Sequence, residues 1–387
     1  MRFLFVTGGS PATVFAFAPL AGAVRGAGHE VLVATLEENL PYVEGLGLPP
    51  LSMARTSELE ILSTDGSERP DEMLKDPAQQ MRLVGRWYAR LSRGSLPTLR
   101  EVAAGWRPDV VVGGRLAYAA QLLALELGVP YVRHPWGLGE WQGYDVGGEE
   151  ELRAELDALG LDGLPRPDLV LDFCPPLLLR GRTGGGEGGE LMRWIPANLQ
   201  RRVEPWMYTR GAGRRICVTT GTRVTDEKTF DALGRGSDFL RQLVKTAGTL
   251  DAELVVAAPE EIAAPIRAEL PDVRAGWTPL DVVAPTCDLI VSHGGTNTSM
   301  VALNAGVPQL NIAKMHISVL QSRLISDYGA GVTIPAAQAT QEDIIAACER
   351  LLTDPAPRAR AAEVSADIAA LPAPAALVPR MTALAAG

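Results

Sequence analysis

Hydrophobic positions near the start of the chain fall in short solid runs, separated by glycine turns and by stretches with helical spacing. Residues 2–7 (RFLFVT) are one such run, and Gly8-Gly9-Ser10-Pro11 follows it. Residues 14–27 then carry apolar positions at helical spacing up to Gly28, and residues 29–34 (HEVLVA) form a second run. Solid runs predict buried strands, and spaced segments predict helices. Strand, glycine turn, helix and strand within about thirty residues make a βαβ unit, which predicts a parallel sheet. The alternation continues with a helix over 81–104, a strand at 109–112, a helix over 117–127 and a strand at 129–132. A charged helix over 149–159 and a short strand at 169–172 come next. The same plan restarts at 214–219 (RRICVT), a run that ends in Thr220-Gly221-Thr222-Arg223. Helices over 239–246 and 260–269 flank a strand at 253–257, and Thr340 is placed to cap a helix over 341–352. The halves share no sequence repeat, only an architecture.

Residues 287–312 (CDLIVSHGGTNTSMVALNAGVPQLNI) concentrate the chemistry. A buried strand at 289–291 breaks at Ser292-His293-Gly294-Gly295, and the polar Thr296, Asn297 and Thr298 open an apolar-periodic helix. That helix stops at Asn304-Ala305-Gly306, and Pro308 leads into another strand. Helix N-termini carry N–H groups and the positive dipole end, so anions settle there. Two glycines allow close approach to the backbone, Thr296 to Thr298 add donors, and His293 can donate from the edge of the turn. The stretch is a predicted pyrophosphate seat.

The same residues carry a resemblance. His293-Gly294-Gly295, then Thr296-Asn297-Thr298, an apolar helix and Ala305-Gly306-Val307-Pro308-Gln309 resemble the donor-binding signature of nucleotide-sugar glycosyltransferases of the GT-B fold. Within these, the chain is most similar to bacterial antibiotic enzymes that attach deoxysugars to aromatic polyketides and macrolides, including angucycline-type C- and O-glycosyltransferases. The resemblance implies an α/β chain of two facing Rossmann-like domains with parallel sheets and a cleft between them. Trp194-Ile195-Pro196-Ala197-Asn198 with Glu204-Pro205-Trp206 resembles the family's linker. It implies an acceptor domain over 1–208 and a nucleotide-sugar domain over 209–387, the last helix crossing back to the first. Gly221 and Thr222 match the turn that touches the donor phosphates. Gly276-Trp277-Thr278-Pro279-Leu280 matches the segment beside the nucleobase, which implicates Trp277 and Thr278.

Composition narrows the partners. A net charge of −10 without a basic cluster disfavours nucleic acid and anionic membrane surfaces. Cys174, Cys217, Cys287 and Cys348 are isolated, so reduced buried thiols are expected rather than metal or disulfide sites. No apolar run approaches the roughly 20 residues of a membrane span, and a cytoplasmic location is the default. The partners expected are a nucleotide sugar and a hydrophobic aromatic acceptor, with no cofactor and no metal. A homodimer is left open.

Four departures from the family pattern shape the expected chemistry. The family's His base at the start of the first helix is replaced by Thr13, which the resemblance places with Ser10 on the acceptor side. The loop Arg133-His134-Pro135-Trp136-Gly137-Leu138-Gly139-Glu140-Trp141 supplies aromatic walls for a planar acceptor, with Trp136 foremost. It has Gly137 where some relatives carry an acid. His134, Glu140 and Asp145 are then the alternative bases, since burial raises a carboxyl into the working range. The Glu that holds ribose hydroxyls is replaced by Val301, and the Asp-Gln pair that reads sugar hydroxyls by Ile317-Ser318. Apolar substitution there favours a deoxyribose nucleotide and a deoxygenated hexose. The expected activity is inverting transfer of a dTDP-deoxysugar to an aromatic polyketide-like acceptor, through carbon by preference and oxygen next. Alternatives are a nucleotide-sugar epimerase on the same fold, or a donor-binding partner of another transferase. The weakly patterned residues 56–83 are expected over the acceptor pocket, and 180–190 (RGRTGGGEGGE) as a disordered loop.

Overall fold

A computed structural model describes residues 1–57, 60, 76–135, 137–139, 143–180, 189–221 and 237–386. The expectations for most of 56–75, for 181–188 and for Trp136, Glu140, Trp141 and Thr222 lie outside them. The chain forms two compact units. One comprises Met1–Cys174, Arg182–Ala197 and Leu371–Gly387, and the other Pro175–Gly181 and Asn198–Ala370.

The first unit is built on β1 (Arg2–Val6), β2 (Glu30–Leu36), β3 (Pro50–Ala54), β4 (Val110–Gly114), β5 (Tyr131–His134), β6 (Leu169–Asp172) and β7 (Glu190–Leu191). They lie in the order β3-β2-β1-β4-β5-β6-β7, every pairing parallel. Phe3, Leu4, Phe5, Val110, Val111 and Val112 are each 0% exposed. Burial on both faces is why these strands read as solid apolar runs rather than alternating ones. Strand order reverses between β1 and β4, and in open parallel sheets ligands bind beyond the carboxyl ends at such a switch point.

Helices α1 (Pro11–Gly26), α2 (Pro77–Gly105), α3 (Tyr118–Leu127) and α4 (Gly143–Glu151) belong to this unit. Pro11 at the first position suits α1, because a helix leaves that N–H unbonded anyway. α2 and α4 approach until a Cβ on Gly85 would lie 1.9 Å from the Tyr144 carbonyl oxygen, and one on Gly147 1.8 Å from that of Arg82. Only glycine fits both places. The contact starts a helix at Gly143, six residues ahead of the charged helix predicted over 149–159, so Asp145 sits on a helix.

The second unit holds β8 (Arg215–Thr219), β9 (Glu253–Ala257), β10 (Arg274–Gly276), β11 (Leu289–Ser292), β12 (Gln309–Ala313) and β13 (Gly331–Pro335). Their order is β10-β9-β8-β11-β12-β13, again all parallel. Its helices include α5 (Ser237–Ala247), α6 (Glu260–Glu269), α7 (Thr296–Asn304), α8 (His316–Tyr328), α9 (Gln341–Thr353) and α10 (Pro355–Ala370). Thr340 caps α9 in a reciprocal box with Asp343.

The chain enters this unit earlier than a division at 208/209 places it. Trp277 Nε1 donates to the Leu199 carbonyl at 3.0 Å, and the Asn198 and Gln200 amides donate to Asp281 at 3.0 Å each. Buried Arg215 donates to the Trp206 carbonyl at 3.0 Å and the Thr209 carbonyl at 3.2 Å. At the other end, α11 (Pro374–Leu384) packs on α1, with Leu377, Val378 and Met381 in the same core as Phe3 and Phe5. All four cysteines are buried and free. Among the described residues no single helix is long and apolar enough to cross a membrane.

Candidate active site

In the second unit the turn from β11 into α7 is fixed from below. The Ser292 hydroxyl accepts from the Gly294 N–H at 3.1 Å and donates to Asn311 Oδ1 at 3.0 Å. Gly294 has φ +75, and a Cβ there would lie 2.5 Å from Ser322 Oγ, so neither conformation nor space admits a side chain. Gly295 takes the N-cap position of α7 and contributes no side-chain cap, and the first turn holds no acidic residue. An α-helix leaves its first N–H groups without intrahelical partners, and nothing acidic in this turn offsets their positive field.

His293 stands at the edge of this turn. A Cβ on Gly295 would lie 2.6 Å from its Nε2, and one on Gly221 3.1 Å from its Cε1. The imidazole is therefore lodged between two bare glycine backbones, one after β8 and one at the start of α7. Gly221 (φ +88) is itself held by its N–H donating to Thr219 Oγ1 at 3.1 Å. Strands β8 and β11 pair directly, which brings these turns together. Thr296 Oγ1 donates to Gln321 Oε1 at 2.6 Å, and Thr298 is buried. Asn297 is half-buried in the same first turn. Gln321 went unnoticed in the sequence because α8 itself was not predicted. His316, Ile317 and Ser318, the last two in the place of the family's Asp-Gln pair, form the first turn of α8. Burial, with a contribution from Arg323, lowers the His316 pKa.

Trp277 is half-buried, with the Arg201 guanidinium 5.7 Å from its ring centre. Thr278 is buried and donates to the Gly276 carbonyl at 3.1 Å. Val301 is buried, as is Ser318.

In the first unit the turns after β1 and β4 enclose a niche of about 10 Å³, near the least room that holds one water-sized atom. Gly8, Thr13 and Phe17 line it from the β1 side, Gly114 and Arg115 from the β4 side, and Tyr88 from α2. Thr13 Oγ1 donates to the Ser10 carbonyl at 2.6 Å, so the residue in the expected base position turns onto its own helix cap.

His134 is 0% exposed and stacks on Phe17 with ring centres 4.5 Å apart. Its Nδ1 lies 2.8 Å from the Pro135 carbonyl, which assigns the proton to Nδ1. Burial lowers its pKa to about 4, the Pro135 contact opposing the shift. It is a neutral core imidazole behind the niche. Asp145 Oδ2 lies 3.0 Å from Arg115 Nη2, and the Arg115 side chain is 8% exposed. Sequence reasoning missed Arg115: a single Arg after two glycines carries no local pattern, and only the pairing of β1 with β4 brings it to Thr13.

The whole chain superposes on solved structures with the same two-unit plan. It matches the glycosyltransferase SsfS6 of Streptomyces sp. SF2575, complexed with thymidine diphosphate, at TM-score 0.86 and 32% identity over 99% of each chain. It matches spinosyn rhamnosyltransferase SpnG, complexed with spinosyn aglycone, at TM-score 0.85 and 29% identity over 99% of this chain and 100% of that one. Fold and site together define a GT-B glycosyltransferase. The model of the erythromycin biosynthesis protein CIII-like N-terminal domain matches residues 22–221, and that of the C-terminal domain residues 241–384. The L-demethylnoviosyl transferase of Streptomyces niveus is 33% identical over 97% of this chain and 96% of its own length. The chain belongs to the erythromycin biosynthesis protein CIII-like family.

Proposed function

We propose that this enzyme transfers a deoxysugar from a dTDP-type nucleotide sugar to an aromatic polyketide-like acceptor, with inversion at the anomeric carbon and by preference to a ring carbon. The observation that carries the donor half is His293 lodged between Gly221 and Gly295 beside the uncapped start of α7. An acceptor atom attacks the anomeric carbon from the face opposite the diphosphate. The bond from that carbon to the β-phosphate oxygen breaks, and its electron pair stays on the oxygen. The α7 N-terminus and a proton donated by His293 in a hydrogen bond stabilise the growing charge. Buried Val301, and Ile317 with Ser318, offer few groups to sugar hydroxyls, which supports a deoxyribose nucleotide and a deoxygenated sugar. The thymidine diphosphate bound to SsfS6 points the same way.

Carbon attack is favoured by the state of the base candidates. Thr13 donates to Ser10, His134 is buried and neutral, and the Asp145 charge is balanced by Arg115. A ring carbon gives up its proton after the new bond has formed, when restored aromaticity drives the loss, whereas a hydroxyl needs a base during attack. O-transfer remains the second reading, with Glu140 as its base. The test is transfer from a dTDP-6-deoxyhexose to a panel of hydroxyaromatic polyketides, with the product bond and anomeric configuration read by NMR. A carbon–carbon bond with inverted configuration is expected. Retained configuration, or transfer from UDP-sugars only, would refute the reading.

A further inference from the structure

Two amide side chains occupy a face of β12 where apolar packing would serve a buried strand. Residues along a strand alternate between its faces. Leu310 and Ile312 join the core that also holds Leu289 and Val291. Gln309 and Asn311 point to the opposite face and are each 1% exposed. That face lies beneath the turn into α7: a Cβ on Gly294 would stand 3.5 Å from the Asn311 Cβ and 3.5 Å from the Ala313 Cβ. A buried amide costs free energy unless its groups are bonded, and here they are bonded in one unbroken line. The Gly294 N–H donates to Ser292 Oγ at 3.1 Å, and the Ser292 hydroxyl donates to Asn311 Oδ1 at 3.0 Å. Asn311 Nδ2 donates to Gln309 Oε1 at 3.0 Å, and Gln309 Nε2 donates to the Ser299 carbonyl of α7 at 3.2 Å.

The far end of the line fixes its direction. A carbonyl only accepts, so Ser299 requires the nitrogen end of Gln309. The Gln309 oxygen then requires the nitrogen end of Asn311, and the Asn311 oxygen requires the Ser292 proton. With that proton committed, Ser292 Oγ meets the Gly294 N–H with a lone pair. Gly294 holds φ +75, and from it the chain passes through Gly295 into α7. One line of bonds therefore ties the turn at one end and the body of α7 at the other, which keeps the helix start in a single place beside His293. Bonds so aligned polarise one another and act as a unit.

We propose that Asn311 and Gln309 are positioning residues for the diphosphate, acting through Ser292 and α7 rather than by contact with the ligand. The proposal rests on the reading of this turn as the diphosphate seat. Its test is titration calorimetry of the full chain with dTDP and with thymidine, and the quantity read is the ratio of the two affinities. Ser292→Ala, Asn311→Leu and Gln309→Met each cut the line, and each should lower that ratio by about 2- to 12-fold, the worth of one neutral hydrogen bond. Ser292→Ala combined with Asn311→Leu should lower it about as far as the larger single change, because both break the same line. Ile312→Val thins the apolar face of the same strand; it should reduce stability in urea and leave the ratio alone. Urea unfolding of every variant confirms that it folds, and if Asn311→Leu does not, Ser292→Ala and Gln309→Met cut the line at its two ends. An unchanged ratio in Ser292→Ala and Gln309→Met overturns the proposal. So does an equal fall in Ile312→Val, or single effects that simply add in the double variant. A native protein that binds dTDP no more tightly than thymidine refutes the diphosphate seat itself.

Discussion

Replacing Gly295 by Ala separates the role of His293 from the integrity of the fold. Gly295 has φ −72 and ψ 140, which alanine adopts without strain. The added Cβ would lie 2.6 Å from His293 Nε2, against ordinary contact from 3.4 Å, so the ring must withdraw by about 0.8 Å. Its other side lies against Gly221, which confines the retreat. A hydrogen bond stretched from 2.8 Å by that amount falls outside bonding geometry. Losing one bond to a charged diphosphate costs about 1.5–3 kcal/mol, so dTDP should bind about 10- to 150-fold more weakly. Stability should barely move: alanine is a poorer N-cap than glycine by up to about 1 kcal/mol, and its smaller unfolded-state entropy returns about 0.4–1 kcal/mol. Isothermal titration with dTDP, and with thymidine as the control that lacks a diphosphate, reads the effect. Weakening of dTDP alone is the expected pattern. Unchanged dTDP affinity, or equal loss for thymidine, would refute the assignment of His293 to the diphosphate.

Three further outcomes follow from the same geometry. His134 is held neutral, its pKa lowered from 6.5 to about 4; folded stability is therefore full above pH 6.5 and falls as pH drops toward 4, by about 3 kcal/mol in all. His134→Phe, which keeps the stack on Phe17, should remove that part of the slope in urea unfolding measured across this range. On the proposal that Trp277 lies beside the nucleobase, Trp277→Leu should weaken dTDP and thymidine by a similar factor of about ten; titration with both ligands checks that they move together. Transfer activity should survive excess EDTA undiminished, and restoration of a lost activity by a divalent cation would contradict the proposed metal-independent transfer.

The legible parts of the fold were those whose signal is local. β1, β4 and β11 are buried on both faces and so appear as solid apolar runs, and the His293-Gly294-Gly295 turn is marked by its glycines between a strand and a helix. β13 was missed although Val332, Thr333 and Ile334 are β-branched; at the sheet edge it is mostly half-buried, which blurs the pattern. Residues 143–151 contain Gly143, Gly147 and Gly148, poor helix formers in isolation. They are helical because the backbone of α2 packs where a side chain would stand, and no single-segment pattern reports that. The niche was illegible for the same reason. Thr13 and Arg115 lie far apart in sequence and meet only through the register of β1 on β4, which pairs Val6 with Gly113.

The central claim is that a nucleoside diphosphate sits at the start of α7 against His293. The most direct measurement is thermal stabilisation by dTDP, UDP, ADP and NAD at matched concentrations, on the native protein and on His293→Ala. A ligand at a hundred times its dissociation constant adds about 2.7 kcal/mol, a rise of about 5–10 °C for units of this size. The account predicts that rise with dTDP, a smaller one with UDP, none with NAD, and a reduced dTDP shift in His293→Ala. Stabilisation by none of the nucleoside diphosphates, or an equal dTDP shift in the variant, would contradict it.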